Sequence, residues 1–322
     1  MPDESTRNSD RSDWPDLPYA AWKDTRDTLH LWTQIVGKVR LECTPWINHS
    51  WHVTLYVTAR GLTTSLIPYD ASGFQIDFDF VDHHLDITRH DGGRTRIDLY
   101  ARSVADFHEE FFAKLHELDL NVRIHGIPNE IPDAIPFAED HVHASYDRDY
   151  ANRFWTALVR SARVLNDFRG DFRGKCSPVH FFWGGFDLAV TRFSGRTAPV
   201  HPGGVPNLPD RVTREAYSHE VSSAGFWPGG DMYPQAMFYA YAYPAPDGLS
   251  KEVIAPPEAG WNSELGEFVL PYDTVRQSPS PDSTLHTFLG SSYESIARLA
   301  KWNRQALEWG GQERPREAVR HG

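Results

Sequence analysis

The amino-acid sequence predicts an α+β fold in which one unit, helix–antiparallel strands–helix, occurs twice as two pseudo-symmetric halves that share a core. Strand-like segments follow one another in runs instead of alternating with helices, as in antiparallel sheets. A helical pattern stands on either side of these runs. Short blocks of the first half return in the second half at fixed distances, which indicates an internal duplication.

The first half begins and ends with an amphipathic helix. Apolar residues recur at helical spacing over 19–41 and predict the opening helix; they are Leu29, Trp32, Val36 and Val39. Alternating β-branched and aromatic residues predict strands at 51–58, 74–80, 84–90 and 94–99, with a hairpin turn at 91–93. Ser103 is placed to cap the second helix. The charged side chains of the hairpin, between Asp77 and Asp86, are expected on a solvated sheet face.

The second half repeats this order. Trp32-Thr33-Gln34-Ile35-Val36 matches Trp155-Thr156-Ala157-Leu158-Val159 at an offset of 123, and Cys43-Thr44-Pro45 matches Cys176-Ser177-Pro178 at an offset of 133. An insertion of ten residues after the second copy's helix explains the change of offset. Strands are predicted at 177–196, 214–224, 235–243 and 266–271, and a closing helix starts at Ser280-Pro281.

These patterns divide the chain into five segments. Their order is a disordered arm at 1–13, the first repeat half at 14–126, a proline-rich linker at 127–140, the second repeat half at 141–309 and a disordered tail at 310–322. The linker is expected to lie extended on the surface. A ligand pocket is expected at the junction of the two halves, because a cleft there would be lined by both copies.

Composition limits the function classes. The chain has 322 residues with 32 Lys+Arg and 44 Asp+Glu, a formal charge of −12, and no basic cluster of the kind that nucleic acids require. No apolar run approaches the ~20 residues of a membrane span, and the N-terminus is too polar for a signal peptide. With only two cysteines, the expectation is a cytoplasmic protein whose partner is a small-molecule ligand, with no nucleic acid and no membrane. Homo-oligomerisation is left open.

Four stretches carry a resemblance to a known family. They are 24–38 (DTRDTLHLWTQIVGK), 56–64 (YVTARGLTT), 176–184 (CSPVHFFWG) and 215–220 (EAYSHE). The chain resembles the bacterial family of unknown function DUF5996 from about residue 14 to residue 309. The resemblance is specific, but it implies no activity, cofactor or catalytic residue.

The best candidate for a functional segment is 177–196. Strand alternation places His180 on one face with Leu188 and Val190, and places Trp183, Asp187 and Thr191 on the other. His180 lies among aromatic residues, which would lower its pKa and suit a neutral general base or metal ligand; the alternative is a core histidine. Asp187 with Arg192 either orients a substrate or forms a pair on the sheet surface.

Further candidates lie on the neighbouring segments. His219 and Glu220 are predicted on the next strand and could join His180 as catalytic groups or as ligands of one divalent metal ion, although adjacent strand residues face opposite ways. The candidates for substrate binding are Asn48, His49, His52, Trp183, Arg192 and Tyr217. Tyr239, Tyr241 and Tyr243 share one strand face, where their hydroxyls would line a polar pocket or the edge of the core.

Two functions follow from these residues. The first is a small-molecule enzyme of unknown reaction, metal-assisted in one version, with His180, His219, Glu220 and Asp187 as catalytic groups. The second is a non-catalytic module for ligand binding or protein interaction, in which the histidines are structural.

Overall fold

The computed structural model describes residues 14–309, in which helices pack against two antiparallel sheets of six strands each. The predicted α+β class is therefore confirmed. The helices are Tyr19–Cys43 (α1), Val104–Glu117 (α2), Arg148–Gly170 (α3), Asp210–Ala216 (α4), Tyr272–Gln277 (α5), Pro281–Leu299 (α6) and Arg304–Leu307 (α7). The predicted arm 1–13 and tail 310–322 lie outside the described residues.

The strands fall into two groups along the chain, one for each sheet. Those of the first sheet are Tyr56–Val57 (β1), Gly61–Thr63 (β2), Ile67–Tyr69 (β3), Ser72–Asp79 (β4), His84–Arg89 (β5) and Arg94–Asp98 (β6). Those of the second sheet are His180–Phe182 (β7), Asp187–Thr197 (β8), His219–Trp227 (β9), Met237–Tyr243 (β10), Gly260–Asn262 (β11) and Glu267–Pro271 (β12).

The first sheet has the order β1-β2-β4-β5-β6, with β3 also paired to β4. The predicted turn at 91–93 joins β5 to β6, and Gly92 there has a φ of 94°, which favours glycine. Ser103 caps α2 as predicted, because its hydroxyl accepts from the backbone N–H of Asp106 at 3.1 Å. The predicted strand at 51–58 is wrong over most of its length. A 3-10 turn at Asn48–Ser50 comes first, and only Tyr56–Val57 pairs as a strand.

The second sheet has the order β11-β12-β10-β9-β8-β7. Its strand face with Leu188, Val190, Phe226 and Phe238 is fully buried, on the side where α3 and α6 pack. The predicted strand at 214–224 is wrong at its start, because the chain forms α4 after Pro209 and the strand begins only at His219. The opposite face of this sheet borders a cavity.

Helix α1 and one backbone bridge join the two sheets. Leu55, just before β1, and Phe181 in β7 exchange two backbone hydrogen bonds of 2.9 Å, so the sheets meet at these edges. Every residue of α1 from Thr28 to Arg40 is buried. The helix therefore runs through the interior, and its polar side chains must find partners there.

The linker at 127–140 follows the surface only in part. Glu130, Pro132 and Asp133 are exposed, as its prolines predict, but the segment is not extended throughout. Phe137 is fully buried and Asp140 nearly so, and Phe137–Glu139 form a 3-10 turn. The backbone N–H of Glu130 donates to the carbonyl of Pro206 at 3.0 Å. The linker is thus tied to the 198–209 loop of the second half and forms part of an internal wall.

Candidate functional site

A cavity of about 800 Å³ lies where α1, the linker and the second sheet meet. Its size suits a small organic ligand. The residues before β7 that line it include Lys38, Trp46, His49, Trp51, Asn129 and Glu130. The later ones include Trp183, Asp187, Phe193, Thr213, Tyr217, Tyr239 and Tyr241. Residues from both predicted halves and from the linker therefore border one space.

The floor of the cavity is the outer face of the second sheet. Strand alternation puts Asp187 and Thr191 of β8 on this face, while Leu188 and Val190 turn into the core. Tyr239 and Tyr241 of β10 lie on the same floor, two strands away from β8. The antiparallel register therefore brings one carboxyl group and two phenols onto a single surface.

A glycine allows the two outer strands of this floor to interact across β9. Gly225 is the cross-strand partner of Tyr239, and a Cβ built on Gly225 would lie 2.5 Å from the Tyr239 hydroxyl oxygen and 2.1 Å from the Leu188 carbonyl oxygen. The Tyr239 ring therefore passes over Gly225 and donates its O–H to Asp187 Oδ2. Without a side chain at 225, β9 leaves room for this contact.

Glu130 of the linker brings a second carboxyl group to Asp187. A Cβ on Gly185 would lie 2.9 Å from Asp187 Oδ1 and 3.8 Å from Glu130 Oε2, so both groups flank the same turn. A Cβ on Gly184 would lie 2.0 Å from Glu130 Oε1, so the Glu130 carboxyl group rests against a glycine. The turn at 183–186 that joins β7 to β8 has the backbone space to hold both carboxyl groups.

The pKa values of these carboxyl groups are raised towards neutrality. Burial raises the pKa of Asp187 to about 6, although the hydrogen bond from Tyr239 opposes this. Burial and the negative charge of Asp187 raise the pKa of Glu130 to about 7. The same two causes raise the pKa of Glu267, at the start of β12, to about 7. The Glu130 residue is exposed and lines the cavity, so solvent in the cavity reaches it and moderates the effect of the surrounding protein.

Three tyrosines complete this carboxyl cluster. The hydroxyl groups of Tyr217 and Tyr241 lie 2.9 Å apart. Burial is the first cause that raises the pKa of Tyr217, Tyr239 and Tyr241, and the charge of Asp187 adds to it in each case. All three tyrosines therefore remain protonated at neutral pH. Tyr239 donates its O–H to Asp187, and one of Tyr217 and Tyr241 donates to the other, so one O–H of that pair is free to donate to a ligand.

A polar stripe on α1 positions the linker at this cluster. His30, Gln34 and Lys38 are four residues apart and share one helix face. The Gln34 amide accepts from the Asn129 backbone N–H at 2.8 Å and donates to the Asn129 carbonyl at 2.9 Å, while Lys38 Nζ donates to Asn129 Oδ1. His30 Nε2 donates to the Gly184 carbonyl at 2.8 Å. One helix face thus fixes both segments that carry the carboxyl groups.

Four of the predicted site residues line the cavity: His49, Trp183, Asp187 and Tyr217. His49 has a φ of 58° and shares a hydrogen bond of 2.9 Å between Nδ1 and the Ala216 carbonyl. Trp183 donates its indole N–H to the Val53 carbonyl at 2.7 Å. Tyr217 lies in the turn after α4, not on a strand, but its hydroxyl group reaches Tyr241.

His180 occupies a different position from the one predicted. Its cross-strand partner is Ala189, so it belongs to the Asp187 face and not to the face of Leu188 and Val190. The reason is the turn at 183–186, which breaks the alternation between β7 and β8. The ring is enclosed by the side chains of Trp51, Tyr56 and Phe182, at centroid distances of 5.5 to 5.7 Å. Burial, and secondarily the charge of Arg40, lowers its pKa to about 3, so it is neutral.

The predicted metal set of His180, His219 and Glu220 is not brought together. Glu220 accepts from Ser194 Oγ at 2.8 Å and from Arg196 Nη2 at 2.6 Å, whereas the His219 ring lies 6.0 Å from that of His49. Within residues 14–309, the one group of three potential ligands within 4.8 Å of one another is Asp79, Asp82 and His84. Arg60 already bridges Asp79 and Asp82, so that group holds a protein cation.

Three further predicted residues lie away from the cavity. Arg192 turns to the core face, where its guanidinium lies 3.4 Å from the Phe168 ring centroid and donates to the Phe168 carbonyl. This follows from alternation, since Thr191 takes the cavity face. Asn48 is exposed and does not line the cavity. His52 is buried, and its Nδ1 lies 3.2 Å from the Ile47 backbone N. None of the three lines this cavity, and their role in substrate binding stays a prediction.

Sequence reasoning missed Glu130, Glu267 and the polar stripe of α1. Glu130 lies in the linker that the prolines assigned to the surface, and Glu267 begins a strand with no other chemical signal. The stripe did carry one signal. His30, Gln34 and Lys38 recur at four-residue spacing inside a helix whose neighbouring residues are apolar, and such a helix has buried polar groups that need partners.

The fold and the site define an α+β protein with a ligand-sized cavity, whose lining includes the carboxyl groups of Asp187 and Glu130. The chain belongs to DUF5996, a family of unknown function, whose model matches residues 14–309. No curated protein and no solved structure matches the chain. None of the described helices is both long and apolar enough to cross a membrane.

Proposed function

We propose that the protein is an enzyme that binds a small organic molecule in this cavity and transfers protons through Asp187 and Glu130. The observation that carries the proposal is the pair of carboxyl groups at the turn 183–186, with pKa values of about 6 and about 7. General acids and bases work best when their pKa lies near the working pH. Carboxyl groups with such values are characteristic of catalytic pairs.

The two carboxyl groups take different roles. Asp187 receives the Tyr239 hydrogen bond, which favours its ionised form, and is the base. Glu130 has no hydrogen-bond or ion-pair partner among residues 14–309 that would favour its ionised form, so it is the acid. Because the two groups are coupled, the pair titrates as a unit. Tyr217 and Tyr241 supply hydroxyl groups that orient the ligand.

Untargeted mass spectrometry of a metabolite extract incubated with the protein tests this proposal. The wild type is expected to deplete at least one compound and to form its product. The Asp187→Asn and Glu130→Gln variants should do so at least about 100-fold more slowly, because each loses the contribution of one acid–base group. Asp247→Asn is the matched control, because Asp247 is exposed and forms no ion pair within residues 14–309.

The alternative of a non-catalytic binding module predicts a different result. A compound would then be retained by the wild type after desalting, but its total amount would not change. Absence of any wild-type conversion that depends on Asp187 would overturn the catalytic proposal.

We also propose that the protein acts in the cytoplasm. Cys43 and Cys176 are both free thiols, and burial raises the pKa of Cys43 to about 11, which keeps it unreactive. Free thiols are typical of reducing compartments. Fractionation of the source cells with an antibody to the native chain tests this location.

A further inference from the structure

The floor of the cavity carries acidic groups without a counter-ion. Glu130 and Asp187, which line the cavity, form no ion pair with any residue in 14–309, and neither does Glu267, which lies outside the lining. Negative charge in such a site is unfavourable, because the surrounding protein replaces water that would otherwise solvate it. The missing partner is a positive charge.

The cations that line the cavity do not supply it. Lys38 is buried and donates to Asn129 Oδ1, and burial alone lowers its pKa to about 8, with no contribution from a carboxylate. Arg211 is exposed and lies over the Trp46 ring, 5.3 Å from its centroid. Both cations are thus engaged away from the carboxyl floor.

Aromatic side chains form much of the cavity lining. Trp183, Tyr217, Tyr239 and Tyr241 all border the cavity, and the rings of Tyr239 and Tyr241 stack at a centroid distance of 6.1 Å. Aromatic faces attract cations, and the attraction is stronger where water is excluded. An ammonium group in this cavity would contact both carboxylates and aromatic rings, and each of these attracts a positive charge.

The opposite wall offers a neutral polar group. The hydroxyl group of Thr213, in α4, has no hydrogen-bond partner within the described chain, although the residue is only 5% exposed and lines the cavity. A buried hydroxyl group without a partner is costly. A ligand oxygen or nitrogen at this end of the cavity would provide the missing partner.

From these contacts we infer that the ligand is an organic amine, whose protonated nitrogen sits between Asp187 and Glu130 and whose body lies against the aromatic walls. This inference rests on the proposed function, since it names the substrate class of the same site. A sugar would also stack on aromatic rings, but it would leave the carboxyl floor without a counter-ion. The unpaired acids therefore favour the amine.

Isothermal titration calorimetry with isosteric probes tests the inference. Cyclohexylmethylamine is expected to bind the wild-type protein at pH 8, whereas cyclohexylmethanol, which has the same shape and no charge, should bind at least about tenfold more weakly. Binding of the amine should weaken by about tenfold or more from pH 8 to pH 5, because the carboxyl groups become protonated while the amine stays charged. Cellobiose serves as the sugar probe.

Variants separate charge from folding. Asp187→Asn and Glu130→Gln should each weaken amine binding about tenfold and flatten its pH dependence, whereas Asp247→Asn and the exposed-site change Glu258→Gln should match the wild type. Circular dichroism confirms that each variant is folded.

The inference is overturned if the amine does not bind, if the alcohol or cellobiose binds as tightly, or if the amine affinity is the same at both pH values. These results leave Asp187-dependent conversion in the metabolite extract intact. Conversely, amine binding without conversion would remove the catalytic proposal and retain the ligand class.

Discussion

The two six-stranded sheets differ in how completely their carboxyl groups are paired. The second sheet pairs Glu220 with Arg196 but leaves other acids without a cation. In the first sheet, Asp86 accepts from Arg94 at 2.8 Å and from Arg96 at 2.9 Å, and Asp79 pairs with Arg60. In the second sheet, Asp187 and Glu267 have no cationic partner within residues 14–309. Partly buried acids without a partner do not stabilise a fold, and the ligand site proposed above would account for them.

The largest expected effect concerns the strand that separates Tyr239 from Asp187. Gly225→Ala places a Cβ 2.1 Å from the Leu188 carbonyl oxygen, a clash with backbone that cannot move away easily. We expect the free energy of unfolding in urea to fall by about 3 kcal/mol. Gly260→Ala is the control, because no atom lies within 4 Å of its added Cβ. Equal urea midpoints for the two variants would show that β9 does not need a glycine here.

The next effect is a gain of stability in the second sheet. The pKa of Asp187 is raised when the protein folds, so the native state binds more protons than the unfolded chain between about pH 4 and pH 6, and stability falls as pH rises through that window. Asp187→Asn removes this penalty. We expect it to stabilise the protein at pH 8 by on the order of 2 kcal/mol and to have little effect at pH 4. Urea unfolding at both pH values measures this. A variant that is less stable than the wild type at pH 8 would contradict it.

Removal of a carboxylate from the first sheet should destabilise the protein instead of stabilising it. Burial alone would raise the pKa of Asp86, but hydrogen bonds from Arg96 and Arg94 outweigh burial and lower it. Its contribution to stability is therefore present above the unfolded pKa and is lost as pH falls through the folded value. Asp86→Asn should destabilise the protein at pH 7 by about 1 kcal/mol or less, with the difference shrinking in acid. Urea unfolding over the same pH series checks the sign, and a stabilised Asp86→Asn variant at pH 7 would remove the contrast between the sheets.

The smallest effect on stability tests the carboxyl pair itself. In Gly184→Ala the new Cβ would lie 2.0 Å from Glu130 Oε1, the far end of a flexible side chain that can move away. We expect a loss of stability below about 1 kcal/mol, but about tenfold weaker binding of cyclohexylmethylamine, since misplaced site groups are costly. Urea unfolding and calorimetry measure the two effects. Gly126→Ala has open space around its added Cβ and is the control. Unchanged binding would separate Glu130 from the site.

The sequence was informative where periodicity governs structure. The apolar stripe of α1, the cap at Ser103 and the turn at 91–93 all follow local rules, and each is present. Asp187 on the face opposite Leu188 also followed from strand alternation. Such features depend on neighbours in the chain, which a single sequence reveals.

The rest of the site depends on contacts between distant segments. The placement of His180 failed because the turn at 183–186 resets alternation, and no local signal marks how many residues such a turn uses. Glu130 escaped notice because proline spacing describes only the linker's backbone. Its place beside the cavity depends on Asn129 being bound by Gln34 on α1, 95 residues earlier. Long-range packing of this kind cannot be predicted from the residues next to Glu130 in the sequence.

Because Glu130 lies in the linker, a protein divided at the linker could lose its acid pair. Asp187 lies in the predicted second half and Glu130 in the predicted linker, so neither predicted half alone contains both carboxyl groups. A cut in the linker after Glu130 would place the two carboxyl groups on separate fragments, and only reassociation of the fragments would restore the pair. The acid pair therefore depends on the linker staying continuous with the segment that carries Asp187.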